Sequence, residues 1–294
     1  MIPKVSYGST GLEVTRLALG GFPLGAVNRA RGWNPYTAEG RALAIGTVHA
    51  ALDAGINVID TAPGYGDGHS ESVIGEALSG GRRDGVVLAT KVGYRGSAAD
   101  VTASVERSLA RLRTDRVDII QFHGGMYTAE EVDRIVNGGL LEALERLREQ
   151  GKARFVGLTV EEPWTARPLL ATGRFACVQV RYNLIYQSAA LHLLNEARDA
   201  RLGVSVMRPM TSGMLQRIAS AIAPRWTEAE LYEVALRFVL SDSRVHVANV
   251  GMRFPEEVAR NARLVEEFKA SFDLAALPRL TAGIYREEDE AAGL

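Results

Sequence analysis

The sequence is poor in cysteine, in long apolar runs and in net charge. Its 294 residues include one cysteine, Cys177, and the formal net charge is -1. A single cysteine cannot form an internal disulfide, which fits a reducing compartment such as the cytoplasm. Because Cys177 lies inside the apolar run FACVQV, we predict that it fills a strand and is not a nucleophile.

The low net charge and the lack of long apolar runs also argue against nucleic acid and membrane as partners. A nucleic-acid-binding protein usually carries an excess of Lys and Arg, whereas here 34 basic residues face 35 acidic ones. No apolar run approaches the roughly 20 residues that span a bilayer. The N-terminal MIPKVSYGSTGLEV lacks the apolar segment of a signal peptide. We therefore expect a cytoplasmic protein that binds neither nucleic acid nor membrane, with its oligomeric state open.

The sequence does contain a regular alternation of apolar runs and amphipathic stretches. Eight apolar runs are predicted to be strands: 17–21, 57–60, 86–91, 117–123, 154–159, 177–180, 204–208 and 245–251. The stretches between them are rich in Ala, Leu, Glu and Arg. They are predicted to be helices at about 38–55, 70–79, 100–112, 130–150, 163–172, 187–201, 227–241 and 255–268.

This alternation predicts the fold class. Continuous apolar runs indicate strands covered on both faces, as in a parallel sheet, and strict alternation with helices indicates an α/β fold. Eight units in about 250 residues suit a closed (β/α)8 TIM barrel, with an open doubly wound sheet as the alternative. KVSYGSTGLEV predicts an N-terminal β-hairpin. No linker divides the chain, so residues 1–294 are predicted to form one domain.

Reactive side chains stand at the ends of three consecutive predicted strands. Asp60 ends the second strand, with Tyr65 in the following loop, and Lys91 and His123 end the third and fourth. Singly, each has an ordinary explanation as a turn cap, a packed ring, a lysine reaching solvent or a hydrogen-bonded histidine. In a TIM barrel these ends meet at one rim. No structural need brings the four types together there, so we predict an active site.

Such a set suits the protonation of a carbonyl group. A tyrosine hydroxyl, with a pKa of about 10, can donate a proton at neutral pH, and a nearby ammonium is expected to lower that pKa. Lys91 needs an anionic partner, which Asp60 provides. His123 can orient a carbonyl oxygen through a hydrogen bond. Because no side chain donates hydride, a nicotinamide cofactor is implied.

Several segments together resemble the aldo-keto reductase family. VIDTAPGYGDGHSESVIGEAL, LATKVG and RVDIIQFHG resemble its Asp–Tyr, lysine and histidine segments, and GKARFVGLT and VQVRYNL its cofactor segments, in order over nearly the whole chain. The resemblance implies a (β/α)8 barrel that reduces an aldehyde or ketone. It also implies that Tyr65 is the general acid, that Lys91 and Asp60 tune it, and that His123 orients the substrate.

The resemblance further implies NADPH, lying extended across the barrel mouth without a Rossmann glycine-rich loop. Thr159 and Gln179 would hold the carboxamide of the nicotinamide. The segment GMRFPEEVARN would hold the adenosine phosphate, with Arg253 on the 2′-phosphate and Asn261 near the adenine. The implied cofactor residues of this segment are Gly251, Arg253, Glu257 and Asn261. Independently of the resemblance, glycine and arginine before a helix that begins at Pro255 suit an anion site.

The sequence departs from the family pattern around the cofactor and the substrate. Val160 stands where an asparagine is usual, so one nicotinamide contact is expected to be missing. Met207 replaces an aromatic residue and is expected to pack less tightly on the nicotinamide, while Arg208 is a candidate to reach the pyrophosphate. NVGMR stands where the family reads Ile-Pro-Gly, and the pair of glycines at 124–125 suggests an opened pocket.

Three functions stay open. The leading one is NADPH-dependent reduction of a small carbonyl substrate, and the polar loop at 28–40 hints at a sugar-like one. Trp33 and Tyr36 in that loop either wall the pocket or pack on the rim. The second function is a regulatory protein that keeps the barrel and the cofactor without catalysis. The third, a metal-dependent hydrolase, is disfavoured because only His123 of the five histidines stands clearly at a strand end.

Overall fold

Ahead of the barrel, the chain forms the predicted hairpin. The computed structural model describes residues 1–222, 225–270 and 274. Strand β1 (Lys4–Ser6) pairs antiparallel with β2 (Glu13–Thr15). Tyr7, Leu12 and Val14 of this hairpin pack with apolar side chains of the barrel interior. The hairpin therefore covers the end of the barrel at which the strands begin.

Eight parallel strands form a closed ring in chain order, as the sequence predicts. They are β3 (Leu17–Gly20), β4 (Val58–Asp60), β5 (Val87–Val92), β6 (Val117–His123), β7 (Ala153–Val160), β8 (Cys177–Arg181), β9 (Gly203–Met207) and β10 (Val247–Gly251). The last strand, β10, pairs with β3 and closes the barrel. The alternative of an open doubly wound sheet is therefore wrong.

Helices surround the barrel. They are α1 (Ala38–Asp53), α2 (His69–Ala77), α3 (Ala98–Leu112), α4 (Ala129–Asn137), α5 (Leu140–Glu149), α6 (Pro163–Leu170), α7 (Leu193–Asp199), α8 (Met214–Ile222), α9 (Glu228–Ser241) and α10 (Pro255–Glu266). Within the described part of the chain, no helix is both long enough and apolar enough to cross a bilayer.

Some helices differ from their predicted extent. The predicted helix at 130–150 is two helices, α4 and α5, because Gly139 between them has a φ of +83°, a left-handed conformation that interrupts a helix. The predicted helix at 187–201 is a 3-10 turn, Ser188–Ala190, followed by α7, so His192 precedes the helix instead of lying within it. Helix α8 has no counterpart among the predicted helices.

Side chains alternate along each strand between two apolar cores. Outward-facing residues such as Ile59 and Ile120 pack in the core that includes the helices. Inward-facing residues such as Val58 and Ile119 belong to a second cluster inside the barrel. Both faces are therefore buried, which explains the continuous apolar runs. Cys177 faces inward, and burial raises the pKa of its thiol to about 12, so it fills the strand as predicted.

The inward side chains stack in layers of four, each contributed by alternate strands. The strand register puts four polar residues in the layer below the mouth: Asp60, Gln121, Gln179 and Asn249. The next layer down consists of small residues from the other four strands: Ala18, Ala89, Gly157 and Ser205. The third layer is apolar: Val58, Ile119, Cys177 and Val247.

A buried ion pair joins α2 to α3 behind the loop that carries Tyr65. Glu71, in the first turn of α2, is fully buried. Its carboxylate accepts hydrogen bonds from Arg111 Nε at 2.7 Å and from the Thr90 hydroxyl at 2.6 Å. Because α2 follows Tyr65 directly, this network fixes the helix against which the loop is anchored.

Replacing Arg111 with Met is expected to lower the free energy of unfolding by roughly 3 kcal/mol, because Glu71 would keep its burial and lose its cation. Urea unfolding followed by circular dichroism measures the loss. Arg113→Met is the matched control, since Arg113 is exposed and lies 4.0 Å from Glu76; it should cost less than about 1 kcal/mol. Equal losses in the two variants would contradict the role assigned to Glu71.

Candidate active site

The carboxyl ends of β4, β5 and β6 bring the four predicted residues to one side of the barrel mouth. Asp60 ends β4, Lys91 is the last but one residue of β5, and His123 ends β6. Tyr65 lies in the turn between β4 and α2, where its backbone N–H donates to the Ala62 carbonyl at 3.1 Å. The four side chains predicted to act together therefore lie together.

The Lys91 ammonium is the centre of this group. It is 1% exposed. Its Nζ donates to Asp60 Oδ1 at 2.6 Å, to the Thr61 carbonyl at 2.8 Å and to the Tyr65 hydroxyl at 3.2 Å. An ammonium has three N–H donors, and each has an acceptor here. The lysine is thus held in one position against the tyrosine.

Burial and charge act in opposite directions on this pair. Burial lowers the pKa of Lys91, but Asp60 and Tyr65 outweigh it, so the pKa lies above its ordinary 10.5 and the ammonium stays charged. Burial raises the pKa of Tyr65, Lys91 lowers it and Asp60 raises it, with a net increase above 10.0. The predicted effect of the ammonium is present, but burial outweighs it. Tyr65 therefore keeps its proton at neutral pH.

The imidazole of His123 stands edge-on to Tyr65, with 5.8 Å between the ring centroids. It is the one exposed residue of β6 and faces the mouth. Desolvation against the barrel wall and, second, the Lys91 ammonium lower the pKa of the imidazole to about 4. The ring is therefore neutral at neutral pH and has one N–H to donate.

Two apolar residues at the mouth are missed by the sequence prediction. Phe22 is 59% exposed and stands edge-on to Tyr65, with 5.4 Å between the ring centroids. Met126 is also exposed and lies in the loop after His123. Phe22 and Met126 each follow closely on the end of a predicted strand. An apolar residue in a loop at a strand end is therefore the sequence signal that could have identified them.

The loop at 28–40 packs on the rim. Trp33 is buried and its Nε1 donates to the Pro23 carbonyl at 2.8 Å. The Tyr36 hydroxyl donates to the Gly25 carbonyl at 2.9 Å, next to the turn of Tyr65. Of the two alternatives for these aromatic residues, rim packing therefore holds.

Thr159 of β7, which is predicted to contact the nicotinamide, is hydrogen-bonded within the protein. The Thr159 hydroxyl donates to the Gly124 carbonyl at 2.8 Å and accepts from the Gly124 N–H at 3.0 Å. Val160 faces outward and is buried in the core that includes the helices. A side chain at Gly124 would overlap the ring of Tyr127, so the predicted opening of the pocket is wrong at this glycine. At Gly125 a Cβ atom would meet only Glu161 Cγ, at 3.9 Å.

Gln179 and Met207 lie on the adjacent strands. Gln179 belongs to the polar layer, and its Nε2 donates to Asp60 Oδ2 at 2.9 Å. This contact joins a predicted cofactor residue to the predicted catalytic group. Met207 ends β9 and is half-buried, which leaves part of its side chain open to the mouth.

Arg208 is held in an unusual backbone conformation. Its φ is +55°, and the Asn183 side chain donates to its carbonyl at 3.0 Å. Its guanidinium pairs with Glu161 at 2.6 Å. Arg181 also pairs with Glu161, at 3.3 Å. Contact between Arg208 and a pyrophosphate would therefore require an exchange of ion partners.

The predicted phosphate segment begins at the exposed Gly251 and continues into α10. Arg253 has its backbone N–H bonded to the Glu257 carboxylate at 2.6 Å. Its side-chain Nε is buried and has no hydrogen-bond partner among the described residues. The residue before Pro255 provides no side-chain cap for the helix, and Asn261 is buried two turns further on. In this segment the Nε of Arg253 is thus a buried donor that has no partner among the described residues.

Comparison with known proteins identifies the family. The sequence profile of the aldo/keto reductase family matches residues 17–275. The chain belongs to the aldo/keto reductase family. By family it is an NAD(P)H-dependent oxidoreductase, as the sequence predicts. Among the residues described, no group of three or more His, Cys, Asp or Glu could hold a metal ion.

Individual relatives agree with this assignment. Aldo-keto reductase YhdN of Bacillus subtilis (strain 168) is 31% identical over 71% of this chain, which covers 62% of that protein. The chain therefore spans less than two thirds of this relative. L-galactose dehydrogenase of Arabidopsis thaliana is 27% identical over 90% of this chain and 88% of that protein. A Klebsiella pneumoniae aldo-keto reductase solved in complex with NADPH matches with a TM-score of 0.75 and 26% identity, over 95% of both chains.

The imidazole of His123 is expected to titrate well below pH 6.5, because its pKa is lowered. NMR titration of its ring signals measures the midpoint. In a Lys91→Met variant the neighbouring positive charge is gone, so the midpoint should rise towards the ordinary value. A wild-type midpoint at or above pH 6.5 would contradict the electrostatic arrangement described for this site.

Proposed function

We propose that this protein is an NADPH-dependent reductase that converts an aldehyde or ketone to an alcohol. The observation that carries the proposal is the pair of contacts on the Lys91 ammonium, to Tyr65 at 3.2 Å and to Asp60 at 2.6 Å. They place a protonated phenol beside a fixed positive charge. Donation of a proton to a carbonyl oxygen uses such an arrangement.

In the proposed reaction Tyr65 is the general acid and donates its hydroxyl proton to the carbonyl oxygen. Lys91 stabilises the phenolate that forms, and Asp60 holds Lys91 in place. Neutral His123 donates a hydrogen bond to the carbonyl oxygen and orients it. NADPH, when bound, supplies the hydride that the carbonyl carbon accepts.

The residues around the start of α10 fit the adenosine end of NADPH. The buried Nε of Arg253 lacks a partner among the described residues, and a helix N-terminus favours an anion. We assign Arg253 to contact with the 2′-phosphate, and Glu257 and Asn261 to contact with the adenine. The exposed Gly251 would lie where the dinucleotide approaches the segment. The Klebsiella relative crystallised with NADPH supports this choice of cofactor.

The nicotinamide end is proposed to lie over β7, β8 and β9. Thr159 and Gln179 would contact its carboxamide, and Met207 would pack against its ring. Arg208 would leave Glu161 and contact the pyrophosphate, since both are anionic partners for a guanidinium.

The proposed substrate is a polar, sugar-like carbonyl compound. Phe22 and Met126 give the mouth apolar surface, and the Glu161 carboxylate gives it charged, hydrogen-bonding surface once Arg208 contacts the pyrophosphate. A short carbon chain that carries hydroxyl groups can contact both kinds of surface. The similarity to a relative named L-galactose dehydrogenase supports the same class of substrate.

A cofactor-binding protein without catalysis is the second candidate. It is favoured by the β7 residues, since the Thr159 hydroxyl is bonded to Gly124 and Val160 faces away from the mouth. These contacts weaken the expected hold on the nicotinamide. The complete set of hydrogen bonds on Lys91 favours the reductase.

Tyr65→Phe separates the two candidates. Loss of the general acid is expected to lower kcat for carbonyl reduction by roughly a hundredfold to ten-thousandfold. The Kd for NADPH, measured by fluorescence titration, should stay within about twofold of the wild-type value. Wild-type protein that binds NADPH but reduces no carbonyl in a broad substrate screen would favour the regulatory candidate.

Arg253→Met tests the choice of NADPH over NADH. Loss of a charge-assisted contact to the 2′-phosphate is expected to raise the Kd for NADPH by roughly tenfold or more. The Kd for NADH, which has no 2′-phosphate, should change much less. Arg260→Met is the control and should change neither value, because Arg260 is exposed and lies on α10, after the phosphate segment's Arg253. Equal weakening of both cofactors by Arg253→Met would refute the phosphate assignment.

A further inference from the structure

The polar layer below the mouth contains two side chains that the proposed function does not use: Gln121, which donates to Asp60 at 3.4 Å, and Asn249. Asn249 lies on β10, in register with Ala18, and shares its layer with Asp60. It opens the NVGMR sequence that stands where the family reads Ile-Pro-Gly. Asn249 therefore places an amide in the barrel interior, at the position where the family reads isoleucine.

The amide of Asn249 is incompletely bonded. The residue is 9% exposed, and its Oδ1 has no hydrogen-bond partner among the described residues. A buried carbonyl oxygen without a donor is destabilising, and native proteins usually satisfy such a group with protein or with ordered water. We therefore expect a hydrogen-bond donor within reach of Asn249 Oδ1.

A small cavity adjoins this amide. Its walls are the polar layer, the small residues below that layer and the apolar residues beneath them; they include Asp60, Gln121, Gln179, Asn249, Ala89, Ser205, Val58, Ile119 and Val247. The small residues create the space, because Ala and Ser do not fill the barrel at that height. The cavity has room for about one water molecule. Most of its wall is apolar, and the side chains that could hold a water are those of the polar layer and Ser205.

The neighbouring hydrogen bonds define what can fill the cavity. Asp60 Oδ2 accepts from Gln179 at 2.9 Å and from Gln121 at the long distance of 3.4 Å. The carboxylate and Asn249 Oδ1 are both acceptors, so a molecule that joins them must donate twice. Water does so. A cation would also bind two oxygens, but the Asp60 charge is already neutralised by Lys91 at 2.6 Å.

We propose that an ordered water in this cavity donates one hydrogen bond to Asn249 Oδ1 and the other to the Asp60 carboxylate. Asn249 is then a positioning residue, which acts on the reaction through the water and Asp60. The cavity and the unpaired amide oxygen support the water site itself. The effect of the water on catalysis rests on the proposed reductase function.

The water affects the tyrosine through the charges around Asp60. Five titratable groups from five elements surround this carboxylate: Tyr7, Tyr65, Lys91, His123 and Cys177. A donated hydrogen bond draws charge away from Asp60. Without it, Asp60 attracts Lys91 more strongly, and Lys91 stabilises the Tyr65 phenolate less. The pKa of Tyr65 should then rise.

Asn249→Leu removes the acceptor and fills the space. We expect kcat to fall roughly threefold to tenfold, and the alkaline midpoint of the pH–kcat profile to rise by about half a pH unit. The Kd for NADPH should stay within about twofold. Asn249→Ser keeps an acceptor and should restore the wild-type midpoint. Val250→Ala, a truncation on the outward face of the same strand, should lower the unfolding free energy and leave the midpoint unchanged.

A crystal structure of the wild-type protein tests the water directly. Density for one water within hydrogen-bond distance of Asn249 Oδ1 and Asp60, absent in Asn249→Leu, is the expected result. A dry cavity, a bound cation, or an unchanged midpoint in Asn249→Leu would overturn the proposal. If the wild-type protein reduces no carbonyl compound, the reductase function fails, while the density still decides whether the water site exists.

Discussion

A lysine ammonium inside the barrel is the constraint on which the site depends. A buried charge is tolerated only when it is paired and fully hydrogen-bonded. Lys91 meets this condition through Asp60, Thr61 and Tyr65, which lie on the neighbouring strand and in its loop. The register that pairs Asp60 with Ala89 places the carboxylate beside the next inward residue of β5, which is Lys91. The same contact therefore joins two strands and orients the tyrosine.

The barrel interior changes from apolar to polar along its axis, and this gradient supports the ion pair. Val58 and Ile119 fill the lower part, and the polar layer lies just below the mouth. There Gln179 satisfies the second oxygen of Asp60. Asp60 consequently accepts a hydrogen bond from Lys91 at one carboxylate oxygen and from Gln179 at the other. A change at Asn249, at the same level, can therefore reach the reaction without touching the substrate.

The rim opposite Tyr65 is organised by charge. Glu161 pairs with Arg208 at 2.6 Å and with Arg181 at 3.3 Å, across the ends of β7, β8 and β9. The left-handed backbone of Arg208 is held by Asn183. A dinucleotide that approached from this side would meet two guanidinium groups already occupied by carboxylates, so binding there involves exchange of partners and is expected to depend on salt.

The sequence by itself determined the eight βα units, the hairpin and the strand-end residues Asp60, Lys91 and His123, because apolar runs and their ends are local features of the chain. The tertiary structure alone decided which inward residues share a layer, since the stagger of the closed barrel brings Asn249 to the level of Asp60. It also decided that the pKa of Tyr65 lies above its ordinary value, because burial depends on the packing of distant segments and here outweighs the charge of the adjacent lysine.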